Sequence, residues 1–366
     1  GRLHQGTEVM YTYGPLGFLS TSVYVFTLPW LLATAGSWIT ALALPLVVFW
    51  LLRPALPTGV AGVVTALLAT FVFLYADVAR PSGWSSTASL LGLGLVVRCQ
   101  VPRRWMVLGF GAITAGLMLI SPVAVTGAAL SLLAAASLPA LEQSGRRAAA
   151  RGVVSFAASF AATFLLLWFL TGQTLGNLIP WARYSASIIS GYSAAMNGTA
   201  AAFPLAQIVA AAVIVGLTVA VVWWRSSGIP RVRRIGALAL YLVLCYLVFK
   251  RGFVRQDGGH VLSFFEFTTL APLAFLPWLR LRLATALVSV GLVAFLALYL
   301  TFGPVFDGWT TISERAESIK RSYTPSLHID SFTEAIHLAT SAEERSSGSR
   351  RQPRRGTGDR QPPVRR

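Results

Sequence analysis

The densest grouping of chemically capable side chains runs from Phe249 to Glu266. Lys250, Arg251, Arg255, Asp257 and His260 fall within one short stretch that also carries the flexible pair Gly258-Gly259. Guanidinium groups pair bidentately with phosphate oxygens, and lysine adds a point charge. The composition therefore suits a phosphate or pyrophosphate headgroup at a membrane surface. Asp257 or His260 can serve as base, acid or metal ligand, although one His and one Asp do not make a metal site. A charged interfacial loop whose basic side chains snorkel to lipid phosphate accounts for the same residues. Glu266 follows at the edge of an apolar run, where an ionisable group is a functional-site hypothesis by default. Pairing with Arg255 or Lys250, or a place in the headgroup zone, are its alternatives.

Two further constellations have a similar character. Around the Gly14-Pro15 turn stand Glu8, Tyr11, Tyr13 and Phe18, a compact aromatic turn that can order a loop over a pocket while Glu8 presents a carboxylate. An interfacial aromatic belt explains these aromatics equally well. The third is Pro180-Trp181-Ala182-Arg183-Tyr184, followed by Ser187, Ser190, Tyr192 and Asn197. Trp181 and Tyr192 could stack on sugar rings and Arg183 could reach a phosphate, or the same residues could anchor an interfacial helix. Asn197-Gly198-Thr199 is a formal glycosylation sequon only.

The elements that must position these groups are set by composition. Of 366 residues, 55% are hydrophobic and 12% charged, against about 25% charge in ordinary soluble domains. Mean hydropathy is +0.65. The net charge of +17 would suggest nucleic acid only if the basic residues shared a water-facing surface, and most of the chain offers none. No specific nucleic-acid partner is expected. Cys99 and Cys245 lie in or beside apolar stretches and build neither a disulfide framework nor a metal pair.

A spanning helix needs roughly 20 mostly apolar residues. Runs at 28–52, 58–76, 153–170, 205–224 and 283–302 meet this, 105–141 divides at Ser121-Pro122, and 85–98, 235–249 and 262–279 are shorter. The expectation is an all-α polytopic bundle of about ten spans. Charge orients it. With the N-terminus outside, thirteen basic residues (Arg53, Arg98, Arg103, Arg104, Arg146, Arg147, Arg151, Arg225, Arg231, Arg233, Arg234, Arg280 and Arg282) fall inside, against Arg80, Arg183, Lys250, Arg251 and Arg255 outside. That is the positive-inside bias.

The expected organisation is an outer remnant at 1–27, a helical domain at 28–302 with outer connections 171–204 and 250–261, an outer segment at 303–340, and a disordered tail at 341–366 with eight arginines. The connection 171–204 is too long for a hairpin and suits a re-entrant or surface-lying segment. Both ends of the chain are expected on the extracytoplasmic side of the cell membrane. The chain opens on Gly1 without a signal-peptide pattern, so a fragment whose upstream segment sets the first orientation is expected.

The motifs TYGPLGF at 12–18, SGYSAAMN at 190–197 and FVRQDGGH at 253–260 resemble a family of uncharacterised actinobacterial polytopic membrane proteins. That family carries TYGPLGF, GYSxAM and FVRxDGH in this order. The resemblance covers most of residues 6–302 and departs from the pattern at Gly258-Gly259, where the family has one glycine. The family is in turn distantly similar to GT-C glycosyltransferases, integral membrane enzymes that use polyprenyl-phosphate sugars on the outer side. The similarity implies a GT-C-like architecture and a catalytic carboxylate in the first outer loop. Glu8 matches a later acidic position of that loop, so a first span and a catalytic Asp are implied upstream.

The expected function is an extracytoplasmic glycosyl transfer from a polyprenyl-phosphate sugar. Glu8, Asp257 and His260 would supply the catalytic groups, with Glu8 or its upstream neighbour as general base. Tyr11, Tyr13, Trp181, Arg183, Tyr192, Lys250, Arg251, Arg255 and Glu266 would bind substrate. A transporter or flippase of an anionic lipid-linked substrate, and a non-catalytic membrane scaffold, are the competing classes. Membrane lipids are partners in all three. The sequence assigns no metal, cofactor or oligomeric state.

Overall fold

The computed structural model describes residues 15–17, 39, 42–75, 81–195, 204–255 and 258–279. All regular structure among these residues is helical: α1 (Leu42–Leu52), α2 (Thr58–Tyr75), α3 (Pro81–Arg98), α4 (Arg104–Ile120), α5 (Val125–Ser144), α6 (Arg146–Leu170), α7 (Leu175–Ala195), α8 (Pro204–Arg225), α9 (Arg231–Arg255) and α10 (Gly258–Leu270), closed by a 3-10 helix at Ala271–Trp278. Local sequence punctuates the helices. Pro122 cannot continue α4, which ends at Ile120 with Ser121 in extended conformation (φ −152°, ψ 100°). Gly145 alone separates α5 from α6. Its φ of +80° lies in the left-handed region open to glycine, and its N–H donates to Leu141 O at 3.1 Å.

The closest pairings are α4 along α6 and α3 along α5, with α6 also against α5 and α10 against α9. Small residues make the approach possible. A methyl group built on Gly92 would meet the Ser131 backbone at 2.6 Å, so α3 and α5 touch main chain to main chain there, as membrane helices with small interfacial residues do. The central core gathers Leu51, Leu52, Leu90, Leu93, Leu132, Tyr241, Leu244, Phe267 and Phe275. Large apolar residues such as Leu166, Phe169, Leu217 and Trp224 lie exposed on α6 and α8. An apolar exterior of this kind is stable facing lipid and costly facing water.

The expected count of about ten spans is corrected by the helix lengths. Four helices among the described residues are long and apolar enough to cross a membrane: Val125–Ser144, Arg146–Leu170, Leu205–Arg225 and Arg231–Phe253. The run at 28–52 contributes the short apolar helix Leu42–Leu52, the run at 58–76 contributes apolar Thr58–Leu68, and α4 stops at 17 residues. The run at 262–279 is divided between the 13-residue α10 and a 3-10 helix. Thirteen residues at about 1.5 Å each reach about 20 Å, short of the roughly 30 Å hydrocarbon layer. Apolar composition over a run does not guarantee one unbroken helix through it, and that assumption inflated the count. The GT-C-like architecture that the resemblance implied is corrected with it, since four such helices stand among the described residues. The run at 283–302 and the segments at 303–340 and 341–366 lie outside the described residues, as does most of 1–27.

The described part of the connection 171–204 holds the helix α7, with Leu175, Ile179, Arg183 and Tyr184 among its exposed residues. It is pinned by Trp181, which packs between Trp168 (ring centroids 5.3 Å apart) and Phe164 (5.7 Å).

Candidate ligand cavity

The two ends of the bundle differ in chemistry. One end is laced together by basic residues. Arg98, closing α3, donates to the carbonyls of Trp50 and Leu51 and lies 3.7 Å above the Trp50 ring, which caps the C-terminal end of α1. Trp278 Nε1 donates to Val97 O at 2.9 Å. Glu142 on α5 accepts from Arg233 on α9 through Nε at 3.0 and 2.8 Å and also through the second guanidinium arm. Between them lies Cys99, whose Sγ donates to Glu142 Oε2 at 3.3 Å while Gln143 donates to its carbonyl at 2.5 Å.

Cys99 holds φ +53°, the left-handed terminator of α3. Its N–H and that of Gln100 turn back to Val96 O and Leu95 O at 3.0 and 3.1 Å. Burial pushes the Cys99 thiol above its ordinary range. Five elements thus meet at this end, and their functional groups are used on one another.

The opposite end opens into a cavity of about 140 Å³ between α3, α5, α7, α9 and the start of α10. Its floor and sides are apolar: Val123, Ile189, Leu244, Leu247, Val248 and Phe267. Its polar wall consists of Ser85, Ser86 and Ser89 from α3, Thr126 from α5 and Ser263 from α10, with Lys250 and Arg251 from the last turns of α9. Helical spacing explains the gathering. Leu244, Leu247, Val248 and Arg251 follow one face of α9, Ser85 and Ser89 one face of α3, and Ser263 and Phe267 one face of α10. Ser85 Oγ donates to Ala124 O at 2.5 Å, tying α3 to the turn that opens α5. Phe249, Phe253, Phe264 and Phe265 lock α9 to α10 beside it, with the closest rings across the pair, Phe253 and Phe264, 5.4 Å apart.

Lys250 and Arg251, both expected to bind substrate, therefore reach one cavity. Lys250 is exposed and Arg251 half-buried. Glu266 is half-buried on α10, within a turn of Ser263. Arg255 is the last residue of α9, His260 lies in the first turn of α10 and Tyr192 lies on α7; their side chains, and Glu8, Tyr11, Tyr13 and Asp257 altogether, lie outside the described residues. Arg183 is exposed on α7, and Trp181 is buried in the aromatic cluster beside α6.

The serine ladder of α3 was missed in the sequence because 85–98 reads as a short apolar run. The legible signal was hydroxyls at i, i+1 and i+4 within it. Among the described residues no group of three or more His, Cys, Asp or Glu could hold a metal ion.

These features define a membrane-embedded, mostly helical protein with several long apolar helices and a polar-mouthed cavity at one end. No family model, curated protein sequence or solved structure matches the chain.

Proposed function

We propose that this protein is a multi-pass membrane enzyme that transfers a sugar from a polyprenyl-phosphate carrier to an acceptor at its extracytoplasmic face. The observation that carries the reading is the cavity in which Lys250 and Arg251 meet an apolar wall from α5, α7, α9 and α10. An amphiphilic donor needs this pairing: cations for the departing phosphate and an apolar surface for the chain. Stabilising that leaving group is the largest contribution such a site can make to the rate. Asp257 and His260 follow Lys250 and Arg251 closely in sequence, and Glu8 shortly precedes the TYGPLGF segment; one of the two carboxylates serves as the general base for the acceptor hydroxyl. The resemblance through TYGPLGF, SGYSAAMN and FVRQDGGH supports the same reading.

The orientation follows from charge: the basic end inside, the cavity outside. It is tested by placing single cysteines at Arg104 and Lys250 in a Cys99→Ala/Cys245→Ala background. Impermeant maleimide on intact cells should label the Lys250 position and spare the Arg104 position. The activity is tested with the natural full-length protein in nanodiscs, supplied with polyprenyl-phosphate sugars. Turnover that collapses in a Lys250→Ala/Arg251→Ala variant supports the reading, whereas no turnover with any such donor refutes it.

One observation favours a transport reading instead. At Ala271 the α-helix gives way to a 3-10 helix within the packed core, and interrupted helices line substrate paths in transporters. That reading predicts movement of a lipid-linked anion between leaflets without chemical change.

A further inference from the structure

We infer that the cavity holds a built phosphate cradle made by the first turn of α5 and Ser89, which with Lys250 receives the headgroup of a single-chain lipid monophosphate. The inference rests on the reading that this cavity takes a lipid-linked anion, but not on sugar transfer. Three observations carry it. The first is the direction of α5. Its N-terminal residues Ala124, Thr126 and Gly127 form part of the cavity wall. The N–H groups of Ala124 and Val125 turn back to Ser121 O at 3.1 and 3.3 Å. The amides of Thr126 and Gly127 come next, at positions an α-helix leaves without intrahelical acceptors. A 20-residue helix also directs the positive end of its dipole there, which favours an anion.

The second observation is Ser89. It is 3% exposed and lines the cavity, yet among the described residues its hydroxyl has no hydrogen-bond partner. The other buried serines nearby are engaged: Ser85 donates to Ala124 O and Ser131 to Ala128 O. With no protein partner, this hydroxyl is left for water or a ligand in the cavity to complete.

The third observation is Gly127. A methyl group built there would stand 3.2 Å from Ser89 Oγ and 3.4 Å from Leu244 Cδ2. Glycine thus lets α3 and α9 close on the first turn of α5 and holds the Ser89 hydroxyl beside it, where any side chain would push them away. A tetrahedral oxyanion fits this donor set of two helix amides, a hydroxyl and the Lys250 ammonium, all from residues that line one cavity. Leu244, Leu247 and Phe267 then flank the chain attached to it.

The test uses the intact protein in zwitterionic nanodiscs and measures binding rather than turnover. The probes are geranylgeranyl monophosphate, geranylgeraniol and inorganic phosphate. The expected result is that the lipid monophosphate binds at least about tenfold more tightly than the alcohol, that Ser89→Ala weakens it by about tenfold, the worth of one hydrogen bond to a charged group, and that Gly127→Ala weakens it too, by pushing Ser89 from the helix amides. Tight binding of inorganic phosphate, weakened by the same substitutions, supports the cradle and assigns it to a free anion. Equal binding of alcohol and monophosphate, or monophosphate binding untouched by both substitutions, overturns it. A protein that binds the monophosphate through Ser89 and Gly127 yet never transfers sugar refutes the transferase reading alone.

Discussion

Ser85 and Ser89 stand one turn apart on the same face of α3, and the structure gives them opposite energetic roles. Both are buried, at 7% and 3% exposure. Ser85 Oγ donates to Ala124 O, so Ser85→Ala removes a bond that joins α3 to the start of α5. The net cost of one such bond is about 0.5–1.5 kcal/mol. Ser89 has no protein partner to lose, and its hydroxyl faces a cavity with room for water. Ser89→Ala should change the stability of the ligand-free protein by less than about 0.5 kcal/mol. Thermal unfolding of both variants in the same nanodiscs therefore separates them, with Tm falling by about 2 °C for Ser85→Ala and staying near the parent value for Ser89→Ala.

Ligand should reverse the order of importance. A monophosphate at 100 times its Kd adds about 2.7 kcal/mol. Tenfold weaker binding in Ser89→Ala forfeits about 1.4 kcal/mol of that gain, while Ser85→Ala keeps it. If Ser89→Ala destabilises the empty protein as much as Ser85→Ala does, Ser89 is a structural bond donor and the reasoning fails.

Three other expectations follow from the packed regions. The Cys99 thiol, pushed above its ordinary range by burial, remains protonated in the folded protein at pH values where an unfolded thiol ionises; the unfolded state then binds fewer protons, so stability falls as pH rises through the ordinary thiol range. Alkylation of Cys99 followed against pH, alongside melting curves of wild type and Cys99→Ala, checks both parts. Glu142→Gln should cost about 1 kcal/mol, since the pair with Arg233 is bidentate but about a quarter to a third exposed, and a double-mutant cycle with Arg233→Gln measures the coupling. Gly92→Ala should cost about 1–3 kcal/mol by forcing α3 from the Ser131 backbone, whereas Gly109→Ala, which meets nothing within 4 Å, should be neutral or slightly stabilising in the same melting assay.

The sequence by itself determined the solvent and the helical class. So little charge in so apolar a chain cannot fold as a soluble domain, and the backbone in hydrocarbon must satisfy its own hydrogen bonds. It also located the helix break at Ser121-Pro122, where the chemistry is local. Composition was less informative about continuity. The runs at 28–52 and 262–279 are apolar enough to span, but the second is an α-helix followed by a 3-10 helix because tertiary packing around Phe267 and Phe275 fixes its path.

The cavity shows the same division. Lys250 and Arg251 were legible because charges stand out in an apolar chain. Ser89, Gly127 and the first turn of α5 were not, because a serine or glycine in an apolar run looks like helix packing until its neighbours are known. Only the tertiary structure brings residues 85–89, 123–127, 189, 244–251 and 263–267 to one end of the bundle. It does so because α3 and α5 run parallel and α9 runs antiparallel to both, which sets the start of α3, the start of α5 and the end of α9 side by side, and a helix end acquires chemistry only from what faces it.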